Sequence, residues 1–293
     1  MILLTAITPA GARLAVKTAS GIVILETVGK KTGLPLTMEE IFLIPDALDR
    51  IRDFINQNLV DCVNSGLAVP EKECQIGVPF RPRNLLCIGL NYKDHQAGQE
   101  ISLPAEPVIF AKLTGCVTGP GEPIVLPAAV RKVGYEAELA VVIGRQCRQV
   151  TTSDALNYVA GYTCLNDVGA PDLLRSDGQL VRAKSQDSFG PMGPYLVSTE
   201  DLPNPQTLPI RSWVNGQLLQ DSNTNQMIFG VRALIAYISD GITLEPGDVI
   251  STGTPPRVGS ARKEQVFLES GDEVVLEVQG VGRLSNPVRA KCE

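Results

Sequence analysis

The apolar segments of this chain are short. From Asn84 onward they read "NLLCIGL", "PVIFAK", "AELAVVIG" and "EVVLEVQGVG", separated by Gly, Pro and polar turns. Runs of this length read as strands, and the regular helix that a βαβ crossover needs does not recur between them. The pattern excludes a doubly wound parallel sheet. It predicts a β-rich α+β fold, a barrel or sandwich core with helices at its edge.

Two helices stand out. After Ile44-Pro45-Asp46, the residues Ala47, Leu48, Ile51, Phe54, Ile55, Leu59 and Val63 fall near helical spacing. Later, Ser222-Asn223-Thr224 offers caps ahead of a stripe of Met227, Ile228, Val231, Leu234, Ile235 and Ile238. A shorter helix is expected at "TTSDALNYVAGY". Between the first helix and the strand-rich text lies "SGLAVPEKECQIGVPFRPRN", which reads as a linker. The expected division is a small N-terminal domain, 1–75, and a catalytic domain, 76–293.

Composition limits the function classes. A net charge of -6 with no Lys/Arg-rich run argues against a nucleic-acid partner. No apolar run approaches the length that spans a bilayer, so a membrane partner is not expected. The first residues, "MILLTAITPAGARLAV", lack a basic stretch before the apolar one, unlike a secretory signal. Seven widely spaced cysteines without C-x-x-C point to reduced thiols in an intracellular protein, and the expected location is the cytoplasm. His95 is the one histidine, so a metal would have to be held by oxygen.

The stretch "VGYEAELAVVIG" carries two acids, Glu136 and Glu138, into an apolar run. In a strand, residues two apart share a face and lie roughly 6–7 Å apart. Like charges so placed raise each other's pKa unless a cation lies between them. Asp167, just after the apolar segment of "GYTCLNDV", offers a third carboxylate, with Asp172 five residues on. Two glutamates and an aspartate form a hard-oxygen set suited to Mg²⁺ or Mn²⁺. Spacing alone leaves the plainer reading open, a solvated strand face.

Eight segments then occur in one order: "CIGLNYKDH" (87–95), "EPVIFAK" (106–112), "YEAELAVVIG" (135–144), "GYTCLNDV" (161–168), "AKSQDSFGPMGP" (183–194), "VNGQLLQDSNTNQMIF" (214–229), "TLEPGDVISTGTP" (243–255) and "GVGRLSNPV" (280–288). Together they resemble the fumarylacetoacetate hydrolase superfamily. The resemblance implies a mixed β-sandwich roll, homodimers, and Glu136, Glu138 and Asp167 as ligands of Mg²⁺ or Mn²⁺. It implies an enzyme acting on a small 1,3-dicarbonyl or 2-oxo acid through an enolate held on the metal. Carbon–carbon bond hydrolysis is the family default. Decarboxylation or keto–enol tautomerisation is the alternative on the same scaffold, and a non-catalytic metal- or metabolite-binding scaffold is a third reading.

Lys184 matches the lysine beside the metal, where an ammonium would stabilise an enolate or oxyanion. Thr252, Gly253 and Thr254 match a segment that lies against the substrate carboxylate, and a bland strand-end turn remains equally open. Gln220 is expected to organise the late helix start rather than the site. His95 matches a histidine that activates water or moves a proton. The glutamate that pairs with it three residues on in the family is here Gly98, and Glu100 is off the helical face.

After Asp167 the family arginine is replaced by Pro171 and the oxyanion-binding glutamine by Leu174, which cannot donate. Arg257 stands where a glycine is usual; it would either grip a carboxylate or face water. The water-activating and oxyanion groups are thus depleted, which favours reactions that need an enolate and one proton carrier over hydrolysis.

Overall fold

The strand Ala137–Ile143 is buried along its whole length. A strand covered on both faces has no solvent side to keep polar, so its sequence is apolar throughout rather than alternating. In the computed structural model, which describes residues 1–29, 33–96, 103–258 and 266–291, this strand lies inside the larger of two sheets.

In chain order the strands are β1 (Ile2–Thr8), β2 (Gly11–Thr18), β3 (Gly21–Ile24), β4 (Ala68–Val69), β5 (Leu85–Gly89), β6 (Val108–Lys112), β7 (Val117–Thr118) and β8 (Ile124–Leu126). They continue as β9 (Ala137–Ile143), β10 (Val159–Asn166), β11 (Gly190–Ser198), β12 (Pro209–Val214), β13 (Gln217–Asn223), β14 (Val249–Ser251), β15 (Glu273–Val278) and β16 (Gly282–Ala290). The first sheet runs β4-β3-β2-β1-β11-β10-β9-β14-β5-β6, with β7 beside β11. The second runs β13-β12-β15-β16-β8. Both mix parallel and antiparallel pairs, and the fold is the β-rich one that the sequence predicts.

The two faces of β9 serve two cores. Leu139, Val141 and Ile143 pack with Ile210 of β12, Leu276 of β15, Leu284 of β16 and the helix Val231–Gly241. Ala140 and Val142 point the other way, into a core with Leu14, Val16, Val23 and the helix Ala47–Asn64. Glu138 shares the face of Ala140 and Val142 by the two-residue period. Opposite it in β10 stands Leu165, two residues before Asp167.

The N-terminal segment joins the same sheet. β1 pairs with β11 through Ile2↔Val197 and Leu3↔Leu196, extending the sheet by a meander of β1, β2, β3 and β4.

The late helix begins further on than its cap signals suggest. β13 runs through Asn223, whose side chain accepts from the Asn225 N–H and caps only a single 3-10 turn, Thr224–Gln226. Thr224 is spent elsewhere: its hydroxyl donates to Pro205 O and accepts from Leu208 N. The α-helix starts at Val231 after Gly230. The helix expected at "TTSDALNYVAGY" is likewise a short 3-10 turn, Ala155–Tyr158, ahead of β10. No helix among the described residues is long and apolar enough to cross a membrane.

Candidate active site

The sheet register brings the three acids together. Glu136 precedes β9, Glu138 lies within it, and Asp167 follows β10, the neighbouring strand. One carboxylate oxygen from each lies within 4.8 Å of the others. Glu138 and Asp167 are buried and Glu136 half-buried, so the cluster opens at the Glu136 end.

Two lysines neutralise part of this charge. Lys184 Nζ donates to Glu136 Oε2 at 2.7 Å, to Asp167 Oδ2 at 2.9 Å and to the Asp167 carbonyl at 2.9 Å. It ends the short helix Leu180–Lys184, whose turn rests against Gly169. A Cβ at Gly169 would come within 3.0 Å of Lys184 Cδ and Cε, so glycine there leaves room for the side chain.

Lys112, the last residue of β6, is wholly buried. Its Nζ donates to Asp167 Oδ1 at 2.7 Å and to the Val168 carbonyl at 3.0 Å. Sequence reading did not single it out. The signal was a lysine closing an apolar strand in "PVIFAK", a position that otherwise reads as a solvated end.

The charges are unequal in depth, and their titration follows. Burial, then Asp167 and Glu136, push the Glu138 carboxyl well above the usual range; the Ser251 hydroxyl and Lys184 only partly oppose them. For Asp167, burial acts upward too, but Lys112 and Lys184 outweigh it and hold the carboxyl below its ordinary value. Lys184 is raised: burial works downward, and the carboxylates of Asp167 and Glu136 more than reverse it.

Thr252, Gly253 and Thr254 run beside β9. The Gly253 N–H donates to Glu138 Oε2 at 3.0 Å, and Ser251 Oγ donates to the same oxygen at 2.5 Å. The hydroxyls of Thr252 and Thr254 donate to the carbonyls of Leu139 and Ala137 at 2.8 and 2.9 Å. This segment therefore fixes the carboxylate strand from its flank. Gly253 has φ +93°, and a Cβ there would meet Asn91 Cβ at 2.8 Å and Ile88 O at 2.9 Å.

Gln220 is tied to the site rather than to the helix start. Its Oε1 accepts from Ala137 N at 3.0 Å and Ser212 Oγ at 2.8 Å. Its Nε2 donates to Thr254 Oγ1 at 2.8 Å and Pro255 O at 2.5 Å. The amide thus clamps the start of β9 to the threonine segment. The buried Asn91 closes the other side, donating to Thr252 O at 2.7 Å and Phe229 O at 3.0 Å.

The backbone of His95 lies in the 3-10 turn Lys93–Gln96, which follows directly from Asn91 and Tyr92. Ser222 Oγ holds that turn by donating to Asp94 Oδ2 at 2.6 Å. Gly98 and Glu100 fall outside the described residues. The Tyr92 hydroxyl is buried with no hydrogen-bond partner among the described residues. Burial, then the charges of Glu138 and Asp94, suppress its ionisation.

The donor set fits a hard divalent cation. All three candidate ligands are carboxylates, converging on one point at the end of a buried strand pair, and three acids outnumber two ammonium groups. A cleft of about 730 Å³ lies elsewhere, against the start of the helix Ala47–Asn64, and shares no residue with this cluster.

A family model described as the fumarylacetoacetate (FAA) hydrolase C-terminal matches residues 84–289. The chain belongs to the fumarylacetoacetate hydrolase family. It is 43% identical over 235 residues, 80% of this chain and 71% of the other, to oxaloacetate tautomerase fahd2, mitochondrial, of Xenopus laevis. Among solved structures it superposes on the 5-carboxymethyl-2-hydroxymuconate delta-isomerase of Mycobacterium smegmatis, with 32% identity, TM-score 0.77 and 100% of each chain covered. It also superposes on the maleylpyruvate hydrolase of Sphingobium sp. SYK-6, solved with manganese(II) and pyruvate, at 30% identity, TM-score 0.80 and 100% coverage of each chain. The family thus spans tautomerase, isomerase and hydrolase names on one scaffold, and this chain is an enzyme of that family.

The frog relative corrects the expected location. Its name places it in the mitochondrion, which points away from the cytoplasm. The cysteines misled the reading. Cys62, Cys74, Cys87, Cys116, Cys147 and Cys164 are free as expected, but free thiols report a reducing environment without saying which compartment provides it.

Proposed function

We propose that this enzyme interconverts the keto and enol forms of a small 2-oxo acid of the oxaloacetate class. The observation that carries this reading is the donor pattern after Asp167. The N–H groups of Gly169 and Ala170 are already bonded to Gly134 O and Ala183 O. Pro171 has no N–H and Leu174 has no polar atom. This segment therefore offers a tetrahedral oxyanion nothing from its first three backbone positions or from the Leu174 side chain. An enolate needs less, because its charge develops on one carbonyl oxygen. The name of the frog relative supports the same class.

Glu136, Glu138 and Asp167 would hold Mg²⁺ or Mn²⁺, which when bound supplies a Lewis acid for the substrate's 2-oxo carboxylate. Lys184 keeps a fixed positive charge beside the half-buried Glu136, where negative charge grows on the substrate oxygen. Lys112 holds Asp167 from below, so that its carboxylate stays ionised and oriented. His95, on the turn tethered through Asp94 and Asn91, carries the proton between carbon and oxygen. One proton leaves the substrate carbon and one is delivered to oxygen, with no water consumed and no bond between heavy atoms broken.

The test is incubation of oxaloacetate and an acylpyruvate with the Mn²⁺-loaded enzyme, followed by ultraviolet absorbance and mass spectrometry. Accelerated enol–keto relaxation of oxaloacetate at unchanged mass supports tautomerisation. Rapid loss of carbon dioxide would favour decarboxylation, and two acid products from the acylpyruvate would favour hydrolysis.

A further inference from the structure

We infer that Arg257 receives the distal carboxylate of a diacid substrate, so that the enzyme selects dicarboxylic over monocarboxylic 2-oxo acids; this rests on the tautomerase reading above.

The placement comes from a pair of glycines. Gly134 and Gly169 exchange N–H···O bonds at 2.8 and 3.3 Å as an antiparallel bridge. Directly opposed residues of such a pair turn their side-chain positions to the same face. On that face the Gly169 position lies against Lys184, with Nζ at 3.3 Å. The Gly134 position lies against Arg257, with Nη2 at 3.5 Å. The guanidinium and the Lys184 ammonium therefore stand over neighbouring backbone positions, on the face that carries Glu136 and Asp167. Side chains at either glycine would fill the space between them.

Depth points the same way. Along the strand, Glu138 is buried, Glu136 half-buried, and Arg257 sits against the residue two positions further out. Two residues of strand span about 6–7 Å, the scale of a four-carbon diacid. A ligand engaged at the carboxylate cluster by its 2-oxo acid end would extend its second carboxylate toward the guanidinium.

The arginine is held for that task. Its guanidinium carbon lies 5.1 Å from the Tyr135 ring centroid and 5.9 Å from that of Phe267. Stacking on rings fixes the plane of the fork and leaves its edge as the donor side, the geometry that suits a carboxylate. Lys132 Nζ lies 5.3 Å from the same Phe267 ring, so a second cation stands at this mouth. The inner ammonium groups are already committed, Lys112 to Asp167 and Lys184 to Glu136 and Asp167. A dianionic ligand thus finds its outer positive charge at Arg257 and Lys132.

The experiment is calorimetric binding of oxaloacetate and of oxalate to the Mn²⁺-loaded full chain, for wild type, Arg257→Gln and Arg257→Lys. Oxalate offers the chelating end without the distal arm. The expected result is that Arg257→Gln weakens oxaloacetate by about 10–100-fold, leaves oxalate within about twofold, and that Arg257→Lys recovers part of the loss. KM for oxaloacetate should rise with kcat held, while 2-oxobutanoate is handled equally by wild type and variant. Unchanged oxaloacetate affinity in Arg257→Gln overturns the inference, as does an equal loss of oxalate, which would make Arg257 a prop for the fold. Arg-dependent oxaloacetate binding without any enol–keto turnover would instead sink the tautomerase reading and leave this site standing.

Discussion

The Lys112 ammonium lies 2.7 Å from Asp167 Oδ1, with the lysine side chain fully buried and the aspartate nearly so. Asp167 Oδ2 is held in turn by Lys184 at 2.9 Å. The aspartate is thus gripped on both oxygens, one from inside the protein and one from the open side. A group so placed anchors the geometry of the other two acids.

Replacing Lys112 with Met would leave Asp167 buried with one cation fewer. Breaking a buried pair from one side costs about 3–5 kcal/mol, and retention of Lys184 puts this case near the lower end. Urea unfolding in the presence of EDTA should show that loss. Adding Mn²⁺ should restore part of it, since a cation in the cluster replaces the missing charge; at a hundred times its Kd, a ligand contributes about 2.7 kcal/mol. No change in the unfolding midpoint would show that the pair is immaterial.

Glu138 sets the pH behaviour of the metal-free protein. Its folded pKa is raised, first by burial and then by Asp167 and Glu136. Above the unfolded value, about 4.3, the native chain keeps a proton that the unfolded chain has released. Its contribution to stability is therefore complete below the unfolded pKa and is lost as pH rises through the folded one. Asp167 is lowered, so its contribution is present above its unfolded value and lost as pH falls through the folded one. Denaturant midpoints with EDTA should fall on the alkaline side of about pH 5, and Glu138→Gln should flatten that fall.

Gly253→Ala tests the threonine segment. At φ +93° an alanine is strained, and its Cβ would press on Asn91 Cβ and the Ile88 carbonyl. A loss of about 1–3 kcal/mol is expected. The displaced N–H should also release Glu138 and weaken Mn²⁺ binding. A variant as stable as wild type, with Mn²⁺ binding intact, would show that this backbone is not fixed as described.

Gln220→Leu removes the clamp between Ala137, Thr254 and Pro255 at nearly constant volume. Buried partners left unsatisfied cost about 1–3 kcal/mol. Thermal unfolding should register that loss, together with a lower kcat from a loosened β9. Unaltered unfolding and turnover would show that the amide is dispensable.

Much of the site was legible because it follows a short-range rule. Glu136 and Glu138 share a face through the two-residue strand period, and Asp167 ends the strand hydrogen-bonded to theirs. Lys112 was not, because a lysine at a strand end looks solvated until the strands beside it are known. Gln220 was misread for a related reason: nothing local says that an amide in β13 of one sheet reaches β9 of the other. The pairing of β1 with β11 joins residues 2 and 197, a long-range register that no local pattern encodes. The late helix began at Val231 because Thr224 was drawn into bonds with Pro205 and Leu208.

The most direct measurement is Mn²⁺ titration of the metal-free full chain by calorimetry, with Glu138→Ala alongside. The expected result is one site per chain in wild type and none in the variant, because Glu138 is the deepest of the three converging carboxylates. Equal Mn²⁺ binding by both proteins would contradict the assignment of Glu136, Glu138 and Asp167 as the metal site.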